Sequence, residues 1–387
     1  MVAQVVTFNM KTSLKKATVA DNRHDLPKIT FDKKEVADFY PEVRRRVDAY
    51  FQSKNIGKHA NGAMIAKTAF ILTVFVGSYL MLLSNLFSPG VLFLLAIVNG
   101  FFTALIGLNI AHDAVHGAFS SNQKVNKAMG LWFNIVGAND YMWMITHNVV
   151  HHTYTNIPDH DEDIDQIPII RLNPNQDLWP IHRFQYIYVF FFYPLASLSW
   201  VFLKDYKKFF KSHIGSYDNS QHPRKEIYRL FFFKALYYTL FLVLPFTLIE
   251  LPWYYILIGF LALHFVEGLT LALVFQLAHT VEGTSFPAPD ENGKIGNSWA
   301  AHQMYTTANF ARKNPVANFF FGGLNFQVEH HLFPRICHIH YRHIAPIVKK
   351  TAEEYNLPYI ENETFIGAIG SHIRTLKKFG RGEIQPA

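Results

Sequence analysis

The chain has 387 residues, a net charge of +7 with histidine neutral, and a composition half hydrophobic and only 17% charged. That balance argues against an ordinary soluble enzyme and suits a protein partly in lipid, and the positive excess fits loops facing anionic headgroups better than nucleic acid. The single cysteine, Cys337, rules out an intrachain disulfide and a cysteine-based metal or iron–sulfur site.

Residues 1–62 are polar and mixed, with no early apolar run, and do not read as a signal peptide. Within them, 41–58 reads as an amphipathic helix and loop leading to the membrane. From Thr68 to Ala111 there are 44 residues without Lys, Arg, Asp or Glu. That is about twice the ~20 needed to span a bilayer. Ser88-Pro89-Gly90 supplies a turn, which predicts a hairpin of spans 68–87 and 91–111. The stretch 128–146 is aromatic but broken by Gly137, Asn139 and Asp140. The apolar stretch 181–202 is read as an interfacial helix pair, because a fifth span would move the later histidines across the membrane.

A second apolar block from Tyr228 is divided by Glu250-Leu251-Pro252 into spans 229–249 and 253–275, with Lys234 expected to snorkel to the headgroups. The short turns 88–90 and 250–252 carry no Lys or Arg. Arg44, Arg45, Arg46, Lys58, Lys124, Lys204, Lys207 and Lys208 lie on the other side. The positive-inside rule therefore makes both termini and 112–228 cytoplasmic. The expected architecture is an all-α integral membrane protein with four transmembrane helices and a cytoplasmic histidine-rich cap. Its parts are a cytoplasmic segment 1–62, a membrane domain 63–350 and a cytoplasmic tail 351–387.

Twenty histidines are present, and they cluster. Box one is His112-x-x-x-His116, an i, i+4 pair on one helical face that can reach one metal. Box two is His147-x-x-x-His151-His152. Box three is Gln327-Val-Glu-His330-His331. His279 ends the fourth span on the same side and is an eighth candidate ligand. His264 lies 15 residues earlier, about 22 Å deeper along a straight helix. It is therefore excluded from that site, and His264 and Glu267 are read as satisfying each other, with a channel-shaping role as the alternative. Imidazole-only ligation fits Zn, Cu, Fe or Ni. A structural zinc needs only four ligands, so seven or eight histidines suggest two metals, and two irons with open positions can bind and reduce O2.

Other polar residues receive plainer readings. Gln327 is read as a hydrogen bonder outside the metal ligands, with a weak metal ligand as the alternative. Asp113 either orients a neighbouring imidazole or is simply solvated. The run Asp159 to Asp165 reads as a solvated loop, with Asp161 or Asp163 available to support box two. His302, His338, His340 and His343 read as structural or outer partners. His24, His59, His160, His182, His213, His222 and His372 read as structural.

The three boxes HxxxH, HxxxHH and QxxHH, with "HHLFPRICHIHY" following, resemble the membrane fatty acid desaturase family over nearly the whole chain after residue 60. Gln327 opening box three is similar to the front-end, delta-6-like subgroup, which inserts a double bond between an existing one and the carboxyl end. The resemblance implies O2-dependent desaturation of a fatty acyl substrate, CoA- or lipid-linked. The box histidines would hold two irons, and no other residue would be catalytic. Many eukaryotic front-end enzymes carry a fused cytochrome b5 domain with His-Pro-Gly-Gly. Here the only His-Pro is His222-Pro223, and residues 1–62 are too short for that domain. The expectation is a separate donor of ferredoxin or cytochrome b5 type with its reductase, and neither haem nor flavin in this chain. A bacterial cell membrane is the favoured location, with the endoplasmic reticulum as the alternative. A related hydroxylase and a histidine-rich zinc carrier are the rival functions. The carrier would want ionisable residues through the bilayer, where only Lys234, His264 and Glu267 stand.

Overall fold

The computed structural model describes residues 28–32, 36–164 and 167–383. His24 and Asp165, and parts of the 1–62 and 351–387 segments, lie outside the described residues. Helices dominate. Among the described residues the strands form three short pairs, Thr30–Phe31 with Lys294–Ile295, His213–Ile214 with Tyr217–Asp218, and Ala308–Phe310 with Ile360–Asn362.

The first helix, α1 (Phe39–Lys54), buries Phe39, Val43, Val47 and Phe51, one residue per turn. They pack on α9 (Tyr341–Glu354), whose Tyr341, Ile344, Ala345 and Val348 complete the same core. The amphipathic stretch expected before the membrane thus packs on protein.

Helix α2 (Gly62–Leu83) starts earlier than the hydropathy predicts, because Asn61 caps it by accepting from Met64 N–H. Helix α3 (Pro89–Val115) begins with the proline expected in the turn. At the first helical position its missing N–H costs nothing and its fixed φ suits the helix. The turn is therefore 84–88. Helices α5 (Arg224–Leu248) and α6 (Trp253–His279) form the second hairpin. The two hairpin tips meet: Asn85 donates to Leu248 O at 2.7 Å and accepts from Glu250 N–H at 2.9 Å. Helices α3 and α6 cross closely at Gly100, where a Cβ would stand 2.2 Å from Leu263 O.

A fifth segment, α4 (Pro180–Phe209), is also long and apolar enough to cross a membrane. Near its middle a 3-10 turn, Tyr193–Leu195, contains Pro194, which removes a helical donor. Ser197 hydrogen-bonds the deep His264. The two ends of α4 bind neighbouring parts of the polar loop after box two. His182 Nε2 contacts Pro168 O at 2.8 Å, and Lys204 lies 3.6 Å from Asp163.

Lys234 does not snorkel. It is 3% exposed and pairs with Asp205 at 2.8 Å while donating to Gly137 O at 2.7 Å. A carboxylate brought by α4 satisfies the ammonium inside the protein, so it has no need to reach headgroups. The chain after 350, expected to be a helical end, ends α9, adds the strand Ile360–Asn362 and then forms α10 (Phe365–Gly380).

Candidate metal centre

Local backbone prepares the first two boxes. A π-helical segment, Ile106–Ala111, runs directly into His112, and another, Met144–His151, carries box two. A π segment inserts an extra residue per turn and re-aims the following side chains. Box three sits on the short helix α8 (Gln327–Leu332), every residue of which is buried.

Seven of the eight predicted histidines converge, in two groups. His112, His116, His147 and His330 bring one nitrogen each to within 4.8 Å of one another, and so do His151, His279 and His331. His152 stands between the groups, with its ring 4.3 Å from that of His331, 4.6 Å from that of His330 and 4.8 Å from that of His116. The sequence did not show this partition. His147 and His151, an i, i+4 pair, go to different groups, and so do the adjacent His330 and His331. His264 is in neither. It bonds Ser197 and Tyr237 and lies 3.3 Å from Glu267.

The tautomers follow from the outer contacts. His151 Nδ1–H donates to Asp161 at 2.9 Å, His331 Nδ1–H to Gln303 Oε1 at 2.7 Å, and His279 Nδ1–H to Thr306 O at 3.2 Å. His330 Nδ1 meets Tyr341 OH at 3.3 Å. In His151, His330 and His331 the pairing leaves the Nε2 lone pair free, whereas Nε2 of His279 meets the Gln327 amide at 3.0 Å. Nε2 of His116, His151, His330 and His331 is buried without a hydrogen-bond partner. Inward lone pairs that no protein donor reaches are what a bound cation requires. Burial, then the neighbouring imidazoles, holds His116, His147, His152, His330 and His331 well below the usual histidine pKa, which favours the neutral form a metal ligand requires. His151 is the exception. Burial opposes its charge, but Asp161 outweighs it and raises the pKa. The donor set therefore fits two soft-to-borderline metal ions with nitrogen ligation.

A third group, Asp113, Cys337 and His338, also brings ligand atoms together. It does not fit a metal, because both His338 nitrogens are engaged: Nδ1 with Asp113 at 2.8 Å and Nε2 with Lys67 Nζ at 2.9 Å. This corrects the reading of Asp113. It is 2% exposed, so it is not solvated, and the imidazole it orients is His338 rather than a box histidine. The reading of the 159–165 loop as solvated fails at Asp161, which is fully buried. His151 and the Asn156 N–H neutralise and satisfy that carboxylate.

Gln327 is fully buried, with Nε2 3.0 Å from His279 Nε2 and Oε1 without a partner. Sequence reasoning missed Gln303, Thr306 and Tyr341, because nothing in a lone Gln, Thr or Tyr marks it as facing a distant histidine. His302, His338 and His340 are buried, as expected of structural partners, and His302 Nε2 bonds Thr155 O. His160, His182, His222 and His372 each hold a protein partner.

An apolar cavity of ≈ 300 Å³ opens beside both groups. Ile164, Ile167, Leu195, Trp143 and Phe275 line it, and His147, His151 and His279 stand at its wall. A narrower space sharing Trp143, Trp200, Leu271 and Phe275 continues past His112 to Glu267. Trp143 is fixed by stacking on Trp200 at 4.9 Å and by Phe133 at 4.8 Å. The result is a mostly apolar passage beside the histidines.

Comparison with known proteins agrees with this geometry. The fatty acid desaturase family model matches residues 88–363. An sn-1 linoleoyl-lipid 6-desaturase of Arthrospira platensis is 38% identical, over 91% of this chain and 94% of its own. The sn-1 linoleoyl-lipid 6-desaturase of Synechocystis sp. is 37% identical, over 88% and 94% respectively. An acyl-lipid (8-3)-desaturase of Physcomitrium patens is 35% identical over 95% of this chain and 77% of its own. By family match, by relatives and by its histidine groups, the chain belongs to the fatty acid desaturase family.

Proposed function

We propose that the protein is a front-end acyl-lipid desaturase acting on an already unsaturated chain, with two irons held by His112, His116, His147, His330 and His152 on one side and His151, His279 and His331 on the other. The observation that carries the reading is the convergence of seven buried imidazoles in two groups, with His152 between them and the Nε2 atoms of His116, His151, His330 and His331 unpartnered, beside a mostly apolar cavity. The two 6-desaturase relatives support a lipid-linked linoleoyl substrate.

Iron bound in the two groups supplies reduction of O2 and removal of two hydrogens from neighbouring carbons. The chain's own residues do the positioning. Trp143, Phe275 and Leu271 form the apolar wall that aligns one methylene pair with the histidines and excludes water. Asp161, Gln303 and the Thr306 carbonyl hold His151, His331 and His279 in one tautomer and one orientation.

Four spans, α2, α3, α5 and α6, fit this site best. Box one ends α3 and His279 ends α6, so an even number of crossings separates them. A full crossing by α4 would leave His279 on the face opposite box one, whereas both its ends hold the loop after box two. The meeting of both hairpin tips at Asn85 supports the same count. With the basic residues at the histidine end, both termini and the cap are cytoplasmic. The electrons come from a separate donor protein of ferredoxin or cytochrome b5 type.

Expression in a host that lacks the product, with and without fed linoleate, tests the activity. The expected product carries one new double bond on the carboxyl side of the existing ones. A hydroxylated chain would replace this reading with the hydroxylase. Metal analysis of the purified protein should give about two irons per chain, and a single tightly held zinc under iron-replete growth would refute the centre.

Gln327 gives a finer check. Its amide reaches His279, so Gln327→Val should leave the protein folded with turnover lowered about 10–100-fold, the range for loss of a partner outside the ligands. Gln327→His, which keeps a nitrogen within reach, should be better tolerated. Wild-type turnover by Gln327→Val, at matched protein level, would show that this side chain has no role at the metals.

A further inference from the structure

A second pocket lies away from the acyl passage, at the start of α2. It has a volume of ≈ 560 Å³ and shares no lining residue with the passage. Lys67, Lys313 and Arg342 line it, and none of its lining residues is acidic. The nearby basic residues outside it are neutralised: Asp48 takes Lys58 at 2.6 Å, and Glu361 takes Arg312. Among the described residues, Lys67, Lys313 and Arg342 have no carboxylate at ion-pair distance.

Lys67 is 7% exposed. Its Nζ lies 5.2 Å from the Phe319 ring centre and gives one hydrogen bond, to His338. An ammonium has three donors, so Lys67 has two to spare at the pocket wall. The pocket's lip is apolar, with Ile56 43% and Phe319 38% exposed. A concave basic site with an apolar lip, at the water end of a membrane helix, has the makeup of a headgroup site. Three cations meet a phosphate while the lip meets the glycerol and first methylenes.

We propose that this pocket binds the phosphate of an anionic membrane lipid, at a site distinct from the substrate channel. Lys67 supplies the buried contact, and Lys313 and Arg342 close on the phosphate from the rim. Concavity and the apolar lip favour a lipid over an acidic protein, which would need a broader exposed patch.

The test uses the full chain purified in detergent, titrated with short-chain phosphatidylglycerol and, separately, phosphatidylcholine, with bound lipid counted by native mass spectrometry. One phosphatidylglycerol should bind in preference to phosphatidylcholine. Lys313→Gln or Arg342→Gln should each weaken it about fivefold, and the pair roughly 30-fold, the worth of one and two headgroup charges. Both side chains are exposed, and unchanged thermal midpoints would show that the variants are folded. Equal phosphatidylglycerol binding by wild type and double variant overturns the proposal. Equally tight binding of inorganic phosphate overturns the lipid assignment. Loss of ferredoxin binding in the double variant, with lipid binding unchanged, makes the surface a protein dock and also overturns it. Desaturation in phosphatidylcholine bilayers should survive in both variants. Its loss there would place these residues at the acyl site and refute a separate pocket, whereas failure of the wild type alone to desaturate would count against the enzyme reading and not against the pocket.

Discussion

His331→Ala is expected to bring desaturation to background, a loss on the order of 10³-fold or more, since residues acting as one unit are not partly dispensable. His331 is fully buried and is one of only three imidazoles in its group, with His151 and His279. Its ring also packs 4.3 Å from His152, between the groups. Alanine removes a ligand, leaves a hole that two imidazoles cannot close, and deprives Gln303 Oε1 of its 2.7 Å donor. His112→Ala and His147→Ala should fail in the same way through the other group. His264→Ala is the contrasting variant. Its ring is just as buried, but its partners are Ser197, Tyr237 and Glu267, so it should lose stability while keeping both irons and some turnover. Product and iron per chain would be measured at matched protein levels. A His331→Ala enzyme that kept two irons and turned over, beside a dead His264→Ala, would mean the ligand assignment is wrong.

Gly322→Ala should destabilise the fold strongly. Gly322 has φ +60°, and a Cβ there would sit 2.1 Å from Leu108 O and 2.6 Å from Leu108 C. Leu108 lies in the π-helical segment that delivers His112, and Gly322 lies in the turn that delivers box three. The methyl group therefore meets backbone, not a movable side chain, at the contact that joins two histidine boxes. The left-handed conformation alone costs about 1–2 kcal/mol for a residue with a Cβ, and overpacking adds about 1–3 kcal/mol. Together they cost about 2–5 kcal/mol, a large share of a total stability of about 5–15 kcal/mol. Size-exclusion profiles of a fluorescently tagged variant should show aggregate and little monodisperse protein. Gly57→Ala, where nothing stands within 4 Å, should behave as wild type. A monodisperse, active Gly322→Ala would show that the turn can move away from Leu108.

The membrane helices were legible because lipid-facing hydropathy is a local property. A charge-free stretch from Thr68 to Ala111 must be helical wherever its neighbours lie. Its ends were less legible, since Asn61 and Pro89 set them by capping and by φ rather than by polarity. The clustering of the histidines was also legible, since seven of the eight candidates from the sequence fall in two buried groups and His152 stands between them. Their division was not. Spacing predicts which side chains share a helical face, but π turns re-aim His147 and His151, and the packing of α8 and α6 against box two decides which rings meet. The same holds for Lys234, whose partner Asp205 comes from another element, and for Asp113, which serves His338 from 225 residues away. Sequence alone determined which stretches are apolar helices and which histidines are candidate ligands, because composition and local periodicity act along the chain. Only the tertiary structure decided which buried groups face one another, because hydrogen bonds and metal ligation act over about 3 Å through space, irrespective of separation along the chain.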